Sequence, residues 1–191
     1  MTTLIILDWD DTLFPTSWAI KNNIDITNEP NKYLSLFSKL DNIIANTIYK
    51  LSKYGKVIII TNALPNWIHI SLCVLPKTHK ILKLVNVNII SARAQYQSQY
   101  SDMMEWKKRS FKKVVSDNNK PINIISIGDA DYEYKALIDL NNHKNKKILK
   151  AIKLMNNPTY KTLVDQLCVL YKAIHDICTK PNHIDWKFKE L

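Results

Sequence analysis

Short apolar runs that break abruptly into polar residues recur along the chain. Leu4-Ile5-Ile6-Leu7 empties into Asp8-Trp9-Asp10-Asp11-Thr12, and Lys56 to Ile60 empties into Thr61-Asn62. Val87 to Ile90 leads to Ser91-Ala92-Arg93, Ile122 to Ile127 leads to Gly128-Asp129, and a fifth run lies near Ile148 to Leu154. Runs of this length without strict alternation read as strands buried on both faces. Between them the period changes. From Pro30 or Asn31, the residues Tyr33, Leu36, Phe37, Leu40, Ile43, Ile44, Ile48 and Leu51 fall on one helical face, and Gly55 stands where a left-handed residue would close the helix. A short helix starts at Pro65 or Asn66 and is stopped by Pro76, and Thr78 is placed to cap another from His79 to Val85.

Further on, Ser101 is predicted to cap a helix through about Asp117, and a short helix runs from about Asp131 to Leu140, followed by a basic loop. Pro158 opens a last helix with Leu163, Leu167, Leu170, Ile174 and Ile177 on one face. The stretches Phe14 to Trp18, Asn22 to Asn31 and Gln95 to Ser101 read as loops, and the tail from Thr179 as irregular. Alternating strands and helices predict an α/β fold: a Rossmann-like three-layer α/β/α sandwich around a mainly parallel five-stranded sheet. One domain is expected over residues 1–191, with its core at about 3–178.

Composition narrows the chemistry. The chain has only 2 glycines, which excludes a Walker loop and a G-x-G-x-x-G fingerprint, since both need several glycines to bring backbone amides to phosphate. The net charge of +10 is spread along the chain and favours anionic partners, protein or nucleic acid. Three widely spaced cysteines have no metal-ligand pairing and suggest a reducing compartment. Met1-Thr2-Thr3 runs straight into the first strand, and no stretch is long enough to span a bilayer, so the expectation is a cytoplasmic protein, with the nucleus open. Monomer and homodimer are both compatible with the sequence.

The candidate chemistry lies at the strand ends. Asp8 and Asp10, two apart on an extended chain, point the same way, and crowded carboxylates need a proton or a cation between them. A hard metal such as Mg²⁺ fits, and a solvated acidic turn is the plain alternative. On the helix ending near Asp117, Met103, Met104, Phe111 and Val114 lie at −4, −3, +4 and +7 from Lys107. That spacing turns Lys107 inward and Lys108 outward, and an inward lysine needs an acidic partner. The alternative is a Lys107 that snorkels past the stripe to solvent. Thr61 could equally cap the helix that follows it.

Taken together, D-x-D-x-T at 8–12, an apolar strand ending in Thr61, a lysine on a later helix and G-D-x-x-x-E at 128–133 resemble the haloacid dehalogenase superfamily. The second Asp and Thr12 are similar to its phosphatase branch, and the resemblance spans Asp8 to Glu133. It departs in two places: Trp9 is bulkier than the usual residue, and no proline follows Lys107. The resemblance implies a Mg²⁺-dependent phosphomonoester phosphatase in which Asp8 attacks phosphorus and Asp10 is the general acid–base. Asp8, the Asp10 carbonyl and Asp129 would hold the metal, with Glu133 holding a metal-bound water or orienting the lysine. Thr12, Thr61, Asn62 and Lys107 would bind phosphate, with Arg93 a further candidate for a substrate anion.

Asp131 reads as a first-turn acid, Asp11 as an outward or capping acid, and His69 as a surface or packing residue. Such relatives often carry a cap domain, but neither Leu13 to Ile60 nor Asn62 to Trp106 leaves room for one. An uncapped site suits a macromolecular or otherwise anionic phosphorylated substrate. Nucleic-acid end phosphatase, phosphotransferase and non-catalytic phosphate-binding scaffold are the alternatives.

Overall fold

A computed structural model describes residues 2–118, 121–141 and 147–189. The strands are β1 (Thr3–Leu7), β2 (Lys56–Thr61), β3 (Asn88–Ser91), β4 (Asn123–Gly128), β5 (Ile148–Lys153) and β6 (Ile184–Lys187). They form one sheet in the order β3-β2-β1-β4-β5-β6, and every neighbouring pair is parallel. The helices are α1 (Thr16–Lys21), α2 (Leu34–Ser52), α3 (Pro65–Cys73), α4 (Pro76–Leu84), α5 (Ala92–Tyr96), α6 (Met103–Asp117), α7 (Asp131–Ile138) and α8 (Tyr160–Thr179).

The central strands β1, β2 and β4 lack polar alternation because both sheet faces are covered. Ile5, Leu7, Val57 and Ile59 pack with Leu40, Ile44 and Ile48 of α2 and Leu163 and Leu167 of α8. Leu4, Ile6, Ile58 and Ile60 pack on the opposite face with Phe111 and Val114 of α6 and Leu137 of α7. The chain builds outward from β1 in one direction through β2 and β3, then returns to add β4, β5 and β6 on the other side. The order therefore reverses between β1 and β4, and a crevice opens outside the carboxyl ends of strands at such a point.

Several expectations are corrected. The sheet has six strands, not five, and the tail is not irregular: Ile184-Asp185-Trp186-Lys187 pairs with Lys150 to Lys153. Its alternation is that of an edge strand, with Ile184 and Trp186 packed on the core and Asp185 and Lys187 exposed. Thr16 to Trp18 belong to a helix, because Asp11 accepts the Ser17 amide and satisfies a first-turn donor. Gln95 and Tyr96 likewise belong to α5, capped by Ser91. Asp102, not Ser101, caps α6.

Helix α4 starts at Pro76, and its cap is not Thr78. Buried Asp41 of α2 accepts the Lys77 and Thr78 amides at 2.9 and 2.7 Å. Helix α8 starts after Thr159, which accepts the Thr162 amide, rather than at Pro158. Gly55 has no positive φ; a Cβ there would lie 2.4 Å from the Thr3 carbonyl oxygen, so glycine answers a close approach. Most of the expected basic loop, residues 142–146, lies outside the described residues.

The sixth strand is tied down by a lysine. Lys150 is wholly buried, and its Nζ donates to the carbonyls of Ile177 and Lys180, each at 2.6 Å. It thereby closes the carboxyl end of α8 and fixes the turn into β6. Lys150→Met should cost about 1–3 kcal/mol in chemical denaturation, because it strands those carbonyls. The β6 amides should also exchange hydrogen faster. Unchanged stability and exchange would remove Lys150 from that role.

Candidate active site

The loop after β1 is wound on one atom. The Trp9 carbonyl accepts the amides of Thr12, Leu13 and Phe14, and Asp11 takes φ 54°, a left-handed turn that Asp tolerates. Trp9 points away from the crevice into the core, its indole N–H donating to Ser71 Oγ at 3.0 Å. Asp8 and Asp10, on either side of it, both line a cavity of about 160 Å³, together with Asn62, Lys107, Asp129 and Glu133.

Lys107 is the centre of the charge arrangement. It is 1 % exposed, and its Nζ donates to Asp8 Oδ1 at 2.6 Å and to the Ile60 carbonyl at 2.7 Å. It also pairs with Glu133 Oε1 at 2.6 Å. These contacts occupy all three ammonium donors, so a further anion could be held only by releasing one. Burial works against the charge, but Asp8 and then Glu133 more than offset it, and the ammonium is held above the ordinary lysine range. Lys108 is partly exposed and faces Glu105, so the inward lysine is the one the helical spacing predicts. Met103, expected inward, instead stands exposed at the cavity mouth.

Gly128 makes the Glu133 contact possible: a Cβ there would lie 2.5 Å from Glu133 Cγ. Asp129 is buried and accepts the Thr12 hydroxyl at 3.0 Å. Burial, and then the charge of Glu133, push its carboxyl up to about 7. Burial also raises Asp8 well above the usual range, with Lys107 opposing. Two carboxylates, Asp8 and Glu133, thus share one ammonium, Asp129 is crowded beside Glu133 without a cationic partner, and Glu133 Oε2 has no hydrogen-bond partner. Oxygen donors with surplus negative charge fit a hard divalent cation. Among the described residues no group of three or more His, Cys, Asp or Glu side chains is arranged to hold a metal ion. The expected ligand set asks for only two carboxylates and the Asp10 carbonyl, which accepts none of the described backbone hydrogen bonds of that loop.

The Asp10 carboxylate is held from the other side. Its Oδ1 accepts the Trp67 indole N–H at 2.8 Å and the Thr16 hydroxyl, while Oδ2 faces the Thr61 hydroxyl at 3.4 Å. Trp67 and Thr16 were not singled out from sequence; a tryptophan in the first turn of the helix after β2 is the signal that could have found one of them.

Thr61 accepts the Ala63 amide at 2.9 Å, ahead of α3 rather than within it, so it does not cap that helix, and its proton is directed to Asp10. Thr12 is fully buried, does not line the cavity and serves Asp129 rather than a ligand. Asn62 is at the cavity wall, its Nδ2 within 3.5 Å of the Met103 carbonyl. Asp11 caps α1 as expected but is buried, not outward. Arg93 lies outside the cavity, on a neighbouring groove. Asp131 is exposed and paired with Lys153, and His69 is exposed on α3 and lines neither space.

Comparison with protein-family models, with curated proteins and with solved structures found no match to this chain. Among the described residues no helix is long and apolar enough to cross a membrane.

Two outcomes follow from this geometry. Asp129 binds its proton more tightly folded (about 7) than at the ordinary carboxyl value of 3.8, so folding stability falls as pH rises through that window. In chelating buffer, Tm should therefore drop between about pH 4 and pH 7, and Asp129→Asn should flatten the slope. An equal slope in both proteins would contradict the assignment. Trp67→Phe keeps the ring but removes the donor to Asp10. If Asp10 protonates a leaving group, alkyl phosphate turnover should fall about tenfold or more and aryl phosphate turnover much less. Equal losses would make Trp67 merely structural.

Proposed function

We propose that this protein is a Mg²⁺-dependent phosphomonoester phosphatase of the haloacid dehalogenase type, acting through an aspartyl-phosphate on Asp8. The observation that carries the proposal is the division of labour between two carboxylates on one cavity. Asp8 is fixed by the buried Lys107, whereas Asp10 is held by the neutral donors Trp67 and Thr16. A pure binding site has no need of two acids kept in such different surroundings.

In the proposed reaction, an Asp8 oxygen attacks phosphorus and the bond to the ester oxygen breaks. Asp10 gives its proton to the departing alkoxide. In the second half, Asp10 takes a proton from water, whose oxygen attacks the same phosphorus and releases phosphate and the Asp8 carboxylate. Lys107 stays protonated throughout and keeps Asp8 oriented. Asp8, Asp129 and the Asp10 carbonyl would hold Mg²⁺, which when bound screens the nucleophile from the phosphate charge. Asn62, on the cavity wall at the end of β2, offers its amide to the phosphoryl oxygens, while Thr61, fully buried off the cavity with its hydroxyl directed to Asp10, positions that acid instead.

The intervals that house caps in similar proteins are spent here on α1, α2 and β2, and on α3, α4, β3 and α5. That organisation supports access by anionic substrates, macromolecular ones included, and the +10 charge favours them.

The test is release of phosphate from a panel of phosphomonoesters with Mg²⁺ and with chelator. Asp8→Asn retains an acceptor for Lys107, so it should fold normally and lose at least roughly a thousandfold in turnover. Asp129→Ala should raise the Mg²⁺ concentration needed. A folded Asp8→Asn protein with near-native turnover would refute the proposal.

A further inference from the structure

Beside the carboxylate cavity, and sharing Asp10 and Asn62 with it as a common wall, lies a wider groove of about 470 Å³. Its floor and sides come from Ile20 of α1, from Ala63 and Leu64 after β2, and from Trp67 of α3, with Arg93 of α5 at the margin. Two of these are among the exposed large apolar residues of the molecule: Ile20 is 70 % exposed and Leu64 41 %. Isolated exposed apolar side chains are ordinary, but two that flank one groove opening on a polar site call for an occupant. Arg93 uses its Nε on Gln97 at 3.0 Å, and no acidic side chain pairs with it among the described residues. Its remaining guanidinium donors suit a carboxylate or phosphate.

The position of Asp10 gives the groove its orientation. Its carboxylate stands between the two spaces, so a phosphate seated by Asp8 would carry its ester oxygen toward Asp10 and the rest of the alcohol into the groove. We infer that this groove is the subsite for the alcohol portion of the substrate. It selects a phosphomonoester whose alcohol has an apolar body and ends in a second anionic group that meets Arg93. This deepens, and rests on, the phosphatase proposal. The apolar body lies on Ile20, Leu64 and the face of Trp67, whose N–H is already given to Asp10. Discrimination then comes from methylenes removed from water and from one charge-assisted contact, not from an enclosing cap.

The experiment uses the full chain with Mg²⁺ and two series of non-hydrolysable probes in titration calorimetry: n-alkyl phosphonates of increasing length, and ω-carboxyalkyl phosphonates. Affinity should rise about two- to fourfold per methylene along the first series. The terminal carboxylate should add about three- to tenfold at the length that reaches Arg93. Ile20→Ser and Leu64→Ser should flatten the chain-length dependence, and Arg93→Met should erase the carboxylate gain while leaving the alkyl series unchanged. Affinity independent of chain length, or groove variants that bind both series like the unmodified protein, would overturn the inference.

Turnover of the matching alkyl phosphates separates this inference from the proposal beneath it. Equal hydrolysis of short and long esters, with flat phosphonate affinities, refutes the groove and spares the phosphatase. Length-dependent phosphonate binding with no turnover of any ester refutes the phosphatase and keeps the groove as a ligand site.

Discussion

A buried ammonium against buried carboxylates is the constraint on which this molecule depends. Lys107 joins α6 to Asp8 at the end of β1, to Glu133 on α7 and to the Ile60 carbonyl at the end of β2. Removing the ammonium would leave the Asp8 and Glu133 carboxylates unpaired in the interior, a change of the kind that costs about 3–5 kcal/mol. The same contacts fix where the Asp8 carboxylate stands. Stability and site geometry are thus one arrangement.

The scaffold around it follows from elementary packing. A parallel sheet must be covered on both faces, so its strands are apolar until they end, and polar residues collect where the covering helices part. Both glycines permit close approaches: Gly55 passes beneath the Thr3 carbonyl, and Gly128 leaves room for Glu133. On the proposed reading, the phosphate-binding role that glycine loops serve elsewhere falls to the Asn62 amide at the end of β2.

How much of this was legible in the sequence depended on the range of each signal. Strand ends at Asp8, Thr61 and Asp129 were legible because burial runs are local. Lys107 was separable from Lys108 because helical spacing is local too. The hold of Trp67 on Asp10 was not legible, since no periodicity links residues 57 positions apart, and that of Thr16, 6 positions away, was hidden because its stretch reads as a loop. Nor was the service of Thr12 to Asp129, across 117 positions. The cap of α4 by Asp41 was hidden for the same reason. The sixth strand was overlooked because four residues at a sheet edge carry little hydrophobic signal, and because what anchors its approach is a buried lysine on β5.

The central claim is that the carboxylate held by Lys107 becomes covalently phosphorylated. The most direct measurement is to quench the protein during turnover with borohydride, which reduces an acyl-phosphate to an alcohol, and to locate the change by peptide mass spectrometry. The account predicts homoserine at position 8 alone, dependent on both substrate and Mg²⁺. Reduction at another carboxylate, or steady turnover with residue 8 unmodified, would contradict it.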